Sequence, residues 1–392
     1  MQIKLTIDAM PLLAGFGGIS NYVNPLIFNF LKISESTVQT TLHFRAGSVD
    51  RMRRFKRLEL ESVKTKQNLR VTRTILPDRI LKSLWQNENS FLGKFTLPKT
   101  DVYLATTEMM PLHKRIKRVA IIHDLTPAVI PEFFPDFKDN YLNRLRTITE
   151  NCDGIIAVSK TTAKDISRFL DIDKKIITVI HAGQPSIPIA DVSDSSILER
   201  LQIKRPFILY VGALAPNKNV EGTIRSFAAF TKKTGLDWQL ILAGKNFMPH
   251  GYYEGKAREE GVADRVIFTG WLDQERWALF RNAEILIHLS WYEGFGIPLV
   301  EAMASGLPVL ASNRGSLPEV LAQEDQLVDP QNEEAIVDKL QKFAQFPEIK
   351  QQWKRWGAQR VKDFSWQKSA QKLLTVLQNV NEIRGASSKV KG

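Results

Sequence analysis

Two glutamates, Glu293 and Glu301, are separated by seven intervening residues in a stretch whose other residue types suit the binding of an anion and of hydroxyl groups. Glycines at Gly294 and Gly296 let the backbone approach a ligand closely. Pro298 suits the first turn of a helix, and the free N–H groups at a helix start point towards an anion. Carboxylates accept hydrogen bonds from hydroxyl groups. The spacing therefore predicts a site for a ligand that carries both a phosphate and hydroxyls.

A structural explanation of the two acids has to be weighed beside this one. An acid near a helix N-terminus stabilises the helix dipole by about 0.3–1 kcal/mol, and Glu301 could do only that. Glu293 precedes the helix and lies in the glycine loop, so stabilisation of the helix dipole does not explain an acid at this position. Ligand binding is the favoured interpretation for this position.

Three further candidates lie elsewhere in the chain. The glycines Gly15, Gly17 and Gly18 stand between a strand and a helix that is predicted to begin near residue 19 or 20, which suits either a backbone anion cradle or an ordinary turn. His123 ends a predicted strand, where sites of α/β proteins tend to lie, although a lone histidine is usually structural. Lys218 follows a strand and a turn, and a lysine there is normally solvent-facing.

These residues need strands and helices to position them, and the pattern predicts an α/β fold throughout. Many of the strand-like segments are continuous apolar runs, which is typical of parallel sheets that are covered on both faces. Their alternation with helical stretches predicts doubly wound layers. The predicted strands are residues 3–10, 38–44, 69–76, 102–106, 119–123, 154–158, 176–180, 207–211, 239–243, 266–268, 285–289 and 309–311.

A stretch rich in Pro, Ser and Asp near residues 184–196 divides the chain and predicts two domains. A short helix is predicted near residues 197–201. The last long helix is predicted over residues 365–383, because Ala370, Leu373, Leu374 and Leu377 repeat at helical spacing. The predicted organisation is an N-terminal domain (1–186), a linker (187–205), a C-terminal domain (206–364), a closing helix (365–384) that crosses back to the first domain, and a flexible tail (385–392).

The charge of the 392-residue chain is concentrated in its first half. Residues 1–190 hold 28 Lys and Arg against 18 Asp and Glu, a net charge of +10, whereas residues 191–392 hold 26 against 24, a net charge of +2. The densest run comprises Arg51, Arg53, Arg54, Lys56 and Arg57. It suits a solvated face, contact with anionic lipid head groups or a phosphate-bearing acceptor. Nucleic acid is not expected, because no binding motif accompanies the charge.

Several function classes find no support in the sequence. Cys152 is the one cysteine, and its apolar surroundings suit a buried thiol better than a nucleophile. The histidines are scattered and no HExxH motif is present, so no metal and no cofactor are expected. No apolar run reaches the length of a membrane span. The expected location is the cytoplasm, with peripheral contact to the inner face of the membrane through the basic half.

Residues 293–309, EGFGIPLVEAMASGLPV, resemble the signature of the family 4 retaining glycosyltransferases, which have the GT-B fold. Three shorter segments support the resemblance: IIHDLTP at residues 121–127, AVSK at 157–160 with a later Asp-Ile pair, and the stretch from Tyr210 to Asn219. Phe364-Ser365-Trp366 resembles the start of the closing helix of that family. The pattern is most similar to bacterial mannosyltransferases that build surface polysaccharides.

The resemblance implies a role for each site residue. Glu301 would hold the ribose hydroxyls, and Glu293 would hold hydroxyls of the donor sugar. Lys218, in the phosphate-binding loop that begins at Gly212, would neutralise the departing diphosphate, and His123 would touch the donor sugar near the reacting carbon. The backbone would meet the sugar and the diphosphate at two places, which are Gly294, Phe295, Gly296 and Ile297 in one loop and Gly15, Gly17 and Gly18 in the other.

The resemblance also implies the reaction: metal-independent glycosyl transfer, with retention, from a nucleotide diphosphate sugar such as GDP-mannose to a glycan or lipid-linked glycan. One departure weakens the expected diphosphate clamp, because Ala213 and Asn217 stand where related sequences commonly have arginine. Lys245 or Arg144 could compensate. The alternatives are a catalytically weak or inactive nucleotide-sugar-binding subunit, a GT-B relative with other chemistry such as an epimerase, and a basic scaffold. The base, the sugar, the acceptor, the linkage and the oligomeric state stay open at this point.

Overall fold

The protein divides into two compact units. The computed structural model describes residues 2–14, 17–57, 68–113, 115–188, 193–204 and 206–389. The first unit comprises Met1–Ala128, Asp136–Gly183 and Trp366–Gly392, and the second comprises Val129–Pro135 and Gln184–Ser365. The chain therefore passes between the units more than once, and the short segment 129–135 groups with the second unit, which the sequence pattern does not anticipate.

The first unit is built on a sheet of seven parallel strands in the order β3-β2-β1-β4-β5-β6-β7. Every residue of the central strand β4 is buried, which explains why the central strands are apolar on both faces. The strands are β1 (Ile3–Asp8), β2 (Val38–Arg45), β3 (Leu69–Thr74), β4 (Val102–Ala105), β5 (Lys117–Ile122), β6 (Gly154–Ala157) and β7 (Ile177–Val179).

The second unit is built on a sheet of six parallel strands in the order β10-β9-β8-β11-β12-β13. Its strands β11 and β12 are buried throughout. The strands are β8 (Phe207–Val211), β9 (Gln239–Ala243), β10 (Val266–Gly270), β11 (Ile285–His288), β12 (Val309–Ser312) and β13 (Leu327–Val328).

Both sheets contain a point where the strand order reverses. In a doubly wound sheet the reversal leaves a crevice beyond the carboxyl ends of the two strands that flank it, and ligands bind there. The reversal lies between β1 and β4 in the first unit and between β8 and β11 in the second. The loops that follow these four strands are therefore the places where the topology would position a site.

Helices connect the strands and cover the faces of both sheets. Before residue 184 they are α1 (Met10–Ala14), α2 (Gly18–Ile33), α3 (Val49–Arg57), α4 (Asp78–Gln86), α5 (Phe91–Phe95), α6 (Thr126–Val129), α7 (Lys138–Thr149) and α8 (Lys160–Leu170). The following helices are α9 (Ser193–Arg200), α10 (Val220–Thr234), α11 (Tyr252–Glu259), α12 (Arg276–Asn282), α13 (Ile297–Ala304), α14 (Leu317–Leu321), α15 (Glu333–Gln345), α16 (Pro347–Arg360) and α17 (Trp366–Lys389).

The last helix, α17, packs against α2 and belongs to the first unit. The four apolar residues that predicted it, Ala370, Leu373, Leu374 and Leu377, are all buried. Gly154 of β6 lies directly beneath this helix, since a Cβ atom added there would come within 3.1 Å of Val380. The helix continues to Lys389, beyond residue 384 where the sequence analysis ends it.

The predicted strands agree with the structure to within about three residues at each end. The two-residue strand β13 is not among them, because so short a run shows no period of its own. Helix α9 lies within the predicted linker and begins four residues before the predicted short helix. Residues 189–192 of that linker and residues 390–392 of the predicted tail lie outside the described residues. Within the described part of the chain, no helix combines the length and the apolarity that crossing a bilayer requires.

Candidate active site

The loops after β8 and β11 flank the reversal point of the second sheet, and they carry most of the predicted donor-binding residues. Gly212 directly follows β8, and Lys218 ends a single 3-10 turn, Pro216–Lys218, in the same loop. Glu293 follows β11 by five residues. The N–H group of Trp291 donates to the carbonyl oxygen of Asn217 at 3.1 Å, so the backbone itself joins the two loops.

One carboxylate oxygen of Glu293 accepts hydrogen bonds from three side chains. Its Oε1 atom lies 2.8 Å from Nζ of Lys218, 2.9 Å from Nε2 of His288 and 2.9 Å from Oγ of Ser290. Because a carboxylate only accepts, Nε2 of His288 carries the proton that it shares with Glu293. The arrangement fixes the carboxylate at the carboxyl ends of β8 and β11.

Charge and hydrogen bonding keep Glu293 ionised. Burial alone raises the pKa of a carboxyl group, and only 15% of this side chain is exposed. The Lys218 ammonium and the hydrogen bond from His288 outweigh burial and hold the pKa of Glu293 well below its usual range. The second carboxylate oxygen, Oε2, leaves this residue able to accept from a further donor such as a ligand hydroxyl.

The backbone of Glu293 is held in place by a neighbouring loop. Its carbonyl oxygen accepts from the N–H group of Ser316 at 3.1 Å and from the Ser316 hydroxyl at 3.0 Å. Gly315, with φ of 57°, lies so close that an added Cβ atom would stand 2.7 Å from both N and O of Glu293. This contact requires glycine, both for its backbone conformation and for its lack of a side chain.

Helix α13 begins directly after Gly296, whose φ of 95° turns the chain into the helix. Gly294, Phe295 and Gly296 are buried, whereas Ile297 at the helix start is half-buried. The Phe295 ring packs edge-on against Phe364 with the ring centres 5.8 Å apart, so its side chain takes part in packing. The two glycines therefore contribute little exposed surface. The accessible part of this loop consists of Glu293 and the first helical residues.

Glu301 pairs with an arginine that the sequence analysis does not single out. Nη2 of Arg276 lies 3.2 Å from Oε1 of Glu301, and only 6% of the Glu301 side chain is exposed. Burial raises the pKa of Glu301 above its usual value although Arg276 opposes the shift. Glu301 is the fifth residue of α13 and makes a specific pair, so stabilisation of the helix dipole, which fades after the first turn, does not account for it.

The two positions that lack arginine each accept a hydrogen bond through the backbone. The carbonyl oxygen of Ala213 accepts from the Tyr210 hydroxyl at 2.8 Å, and that of Asn217 accepts from Trp291. Of the proposed substitutes, Lys245 lies over the Phe247 ring with its Nζ 5.2 Å from the ring centre. Arg144 is in the first unit, where its Nε lies 2.7 Å from Oε2 of Glu108. Lys218 is the cation that contacts Glu293.

His123 follows β5 in the first unit and is half-buried. Its Nε2 atom lies 3.2 Å from the carbonyl oxygen of Thr106, which only accepts, so Nε2 carries the proton. Burial lowers the pKa of His123 below its ordinary value, which favours the neutral ring at pH 7. Nδ1 of this tautomer is then a hydrogen-bond acceptor.

The predicted glycine loop of the first unit is described in part. Gly17, with φ of 106°, is the N-cap of α2, and Gly18 is the first residue of that helix. Added Cβ atoms at these two glycines would meet nothing within 4 Å, so neither is required by packing. Gly15 lies outside the described residues. The role of this loop therefore stays a prediction.

A cavity of about 260 Å³ opens beside the loop that follows β4 in the first unit. The same loop carries Thr106, whose carbonyl oxygen accepts from His123. Burial raises the pKa of Glu108, which lines the cavity beside its partner Arg144. The polar side chains that line it are Lys82, Gln86, Glu108, Asn140, Asn143, Arg144 and Thr147.

Four features of the site are not predicted from the sequence: His288, Ser290, Arg276 and the contact of Gly315 and Ser316 with the Glu293 backbone. His288 and Ser290 give a faint signal, because they are the first polar residues after an apolar strand that leads into the Glu293 loop. Arg276 and Gly315 come from other parts of the chain, and nothing in their spacing links them to the two glutamates.

Two other predictions concern nucleophiles and metals. Burial raises the pKa of the Cys152 thiol to about 12, which makes a thiolate nucleophile at this position unfavourable. Among the residues that the structure describes, no three His, Cys, Asp or Glu side chains come together as a metal site would require.

Two family profiles match the chain and together cover most of it. Residues 196–360 match the profile described as "Glycosyl transferases group 1", and residues 59–184 match the one described as "Glycosyltransferase Family 4". The chain belongs to the family 4 glycosyltransferases. The resemblance that the Glu293–Glu301 stretch indicates is thereby confirmed, and an epimerase or a scaffold is not supported.

Two relatives show which members this glycosyltransferase resembles. It is 26% identical over 266 residues to O-antigen chain mannosyltransferase B of Escherichia coli, in an alignment that covers 65% of this chain and 68% of that protein. It is 28% identical over 265 residues to the serotype-specific mannosyltransferase WbdA of Escherichia coli, where the alignment again covers 65% of this chain. The match spans 32% of WbdA, about a third of that protein.

The fold of the glycosyltransferase is similar to solved structures over nearly its full length. Sucrose-phosphate synthase from Thermosynechococcus elongatus aligns with a TM-score of 0.73 and 19% identity, over 97% of this chain and 99% of that one. The predicted fold class, an α/β GT-B protein with two Rossmann-like units, is confirmed by this similarity and by the two parallel sheets.

Proposed function

We propose that this glycosyltransferase transfers a mannosyl group from GDP-mannose to a hydroxyl group of a glycan or lipid-linked glycan, with retention of configuration and without a metal ion. The observation that carries the proposal is the convergence of Lys218, His288 and Ser290 on Glu293 beside the start of α13. A cation, a fixed carboxylate and the amides of a helix start together suit a ligand with a diphosphate and sugar hydroxyls.

The choice of mannose rests on the relatives. Both relatives described above are named mannosyltransferases, and both align over about two thirds of this chain. Guanosine diphosphate is the nucleotide that we infer to carry the sugar. In the second unit, Glu301 would accept hydrogen bonds from the ribose hydroxyls while Arg276 keeps the carboxylate in place.

The reaction needs charge stabilisation where the diphosphate departs. The bond between the anomeric carbon and the phosphate oxygen breaks as the acceptor oxygen bonds the same carbon from the same face. The acceptor's proton passes to the departing phosphate oxygen, so no base on the protein is required. The Lys218 ammonium and the N–H groups at the start of α13 would stabilise the charge that develops on the diphosphate.

Glu293 and His123 would position the donor sugar. Lys218, His288 and Ser290 all bind Oε1 of Glu293, so Oε2 is suited to accept from a sugar hydroxyl. His123 is held as the Nε2–H tautomer by Thr106, which makes Nδ1 the atom that would accept from the sugar. Both groups then act by orientation, because a well-oriented pair of reactants has a lower entropic barrier.

The cavity of the first unit is the acceptor subsite that we propose. Its amide and charged side chains, among them Gln86, Asn140 and Asn143, suit the many hydroxyl groups of a glycan. Asn140→Ala would raise the KM for the acceptor and leave release of GDP from the donor in water unchanged. An unchanged acceptor KM in this variant and in Gln86→Ala would place the acceptor elsewhere.

The deciding experiment supplies the purified protein with GDP-mannose, UDP-glucose and short glycans, with and without EDTA. We expect GDP release and a mannosylated product whose anomeric configuration, read by NMR, matches that of the donor, at a rate that EDTA does not change. Loss of activity in EDTA that Mg²⁺ restores would contradict metal independence, and an inverted product would contradict retention.

A nucleotide-sugar-binding subunit without turnover is the alternative, and Ala213 and Asn217 motivate it. Calorimetry with GDP-mannose separates the two, because such a subunit would bind the donor but release no GDP in any acceptor mixture. Binding with turnover supports the transferase. Turnover with a different nucleotide sugar would keep the glycosyl transfer and replace the donor.

A further inference from the structure

Five large apolar side chains of the first unit point into solvent along one stretch of chain. They follow β3 or belong to α4 and α5, and we call them the apolar patch: Ile75 (66% exposed), Ile80 (50%), Phe91 (70%), Leu92 (66%) and Phe95 (73%). Scattered single apolar residues are normal on a surface, but a group of five on consecutive elements marks a surface that binds something apolar.

Helix α5 is built with its apolar side chains outward. Its one buried residue is Gly93, which packs so tightly that an added Cβ atom would stand 2.7 Å from the carbonyl oxygen of Leu84 in α4. The rings of Phe91 and Phe95 contact each other edge-on with centres 4.9 Å apart. The large side chains of α5 therefore have no place in the core of this unit.

Hydrogen bonds hold α5 firmly in this orientation. The Ser90 hydroxyl caps the helix by accepting from the N–H group of Gly93 at 2.9 Å. At the other end, the Thr96 hydroxyl donates to the Gly93 carbonyl at 2.7 Å and accepts from the indole N–H of Trp85 at 2.8 Å. Trp85 is itself buried in α4. The exposure of the patch is thus a fixed feature of the fold.

Cations surround the patch and acids are rare there. Within residues 49–54 and 68–99, Asp50 is the exposed acid, and it pairs with Arg54 at 3.0 Å. Asp78 and Glu88 are half-buried, and Asp78 pairs with Arg51 at 2.6 Å. The exposed cations of the same residues are Arg53, Arg54, Arg70, Arg73, Arg79, Lys82, Lys94 and Lys99.

Contacts join these elements into one face at the β3 edge of the first sheet. The Arg51–Asp78 pair connects α3 to α4. The Thr74 hydroxyl at the end of β3 donates to the carbonyl oxygen of Thr96 at 3.0 Å, just after α5. The elements that carry the patch and its cations are therefore neighbours in the fold rather than separate loops.

We propose that this face docks on the interface of an anionic lipid bilayer, with the patch inserted among the acyl chains and the cations on the head groups. Aromatic and aliphatic side chains flanked by Lys and Arg suit that boundary, where one layer is apolar and the next is negatively charged. A nucleic acid would use the cations but not five exposed apolar side chains. The proposal is independent of the donor-binding residues, none of which belongs to the patch.

The test is flotation of the full-length protein with vesicles of phosphatidylcholine alone and of equimolar phosphatidylcholine and phosphatidylglycerol. We expect binding to the anionic vesicles only, weakened by salt. Phe91→Ser with Phe95→Ser removes the rings, and Arg79→Glu with Lys94→Glu reverses the charge. Each double substitution should lower the apparent affinity of the protein for the anionic vesicles at least tenfold.

Matched controls lie in the second unit. Phe346→Ser removes a half-exposed ring and Arg258→Glu reverses an exposed charge outside the patch, and both should bind vesicles as the unchanged protein does. Unaltered thermal midpoints and GDP release would show that the patch variants are folded. The proposal is overturned if the unchanged protein fails to float with anionic vesicles or if the patch variants float equally well. It is also overturned if the patch instead drives dimerisation, seen as a concentration-dependent mass that the Phe→Ser pair abolishes.

Discussion

Nζ of Lys218 lies 2.8 Å from Oε1 of Glu293, although 75 positions separate the two residues in the chain. The parallel sheet brings them together, because β8 and β11 are neighbours whose carboxyl ends share one edge. The same oxygen is bound by His288 and Ser290, so the carboxylate is held before any ligand arrives.

Glu293→Gln should reduce kcat for mannosyl transfer at least about a hundredfold with a smaller effect on GDP binding. The amide keeps the shape of the side chain but removes the charge that pairs with Lys218, and its nitrogen no longer accepts. Steady-state GDP release and calorimetry measure the two effects. Glu348→Gln, at an exposed position, is the control. Near-normal kcat in the Glu293 variant would exclude this residue from the site.

The same variant makes a prediction about stability and pH. The pKa of Glu293 is lowered in the folded protein, so its ionisation stabilises the fold above the unfolded pKa of about 4.3 and loses that effect as pH falls towards the folded value. The unchanged protein should therefore exceed Glu293→Gln in denaturant stability at pH 7, with the difference shrinking below about pH 4.3. A difference that is constant from pH 7 to pH 3 would contradict the lowered pKa.

Lys218→Ala should weaken GDP binding about tenfold and reduce kcat further, because the diphosphate loses its cation as charge develops on it. Removing one partner of a mostly buried pair also lowers stability, by up to about 3 kcal/mol. Lys218→Arg keeps the charge and should recover part of the activity. Lys233→Ala removes an exposed cation that pairs with Asp338 and should change neither quantity. Equal kinetics for Lys218→Ala and Lys233→Ala would refute the role of Lys218.

Arg276→Met should make donor binding sensitive to pH. Burial already raises the pKa of Glu301, and loss of the guanidinium should raise it further. Protonated Glu301 accepts fewer hydrogen bonds from the ribose, so the donor KM should rise as pH falls and should do so at a higher pH in the variant than in the unchanged protein. Superimposable KM–pH profiles would show that Arg276 has no influence on this carboxylate.

Gly315→Ala tests the contact that holds the Glu293 backbone. Its added Cβ atom would meet N and O of Glu293 at 2.7 Å, whereas a Cβ atom at Gly261, which has a similar φ of 71°, would meet nothing within 4 Å. Gly261→Ala should therefore lower stability by about 1–2 kcal/mol through backbone strain alone. Gly315→Ala should lower it more and also reduce kcat. Matching losses in the two variants would mean that the Gly315 contact adds nothing.

The sequence predicts the sheets well because buried parallel strands are continuous apolar runs that few other structures produce. It predicts the loops of Glu293 and Lys218 from glycine, proline and charge, together with the resemblance to a family. The pairing of Lys218 with Glu293 depends on the order of strands in the sheet, which the local pattern does not contain. Arg276 and Gly315 are not predicted for the same reason, since their contacts join segments that are distant in the chain.

The patch on α5 illustrates a different limit. The sequence shows the basic run near Arg53, and this run suggests contact with a membrane. The apolar residues Phe91, Leu92 and Phe95 resemble part of an ordinary core segment, however, and the structure is needed to show that they are exposed while Gly93 between them is buried. A pattern of residue types does not distinguish a face that covers the core from one that avoids it.

The return of α17 to the first unit has a consequence for how the polypeptide can be divided. The N-terminal sheet lacks the helix that covers β6 until α17 has been synthesised, so the first unit should finish folding after the segments that precede α17. Chimaeras that exchange whole halves with a relative would therefore have to transplant the terminal helix along with the N-terminal segments. A single junction near residue 184 would pack α2 against the last helix of the relative, whose side chains do not match it.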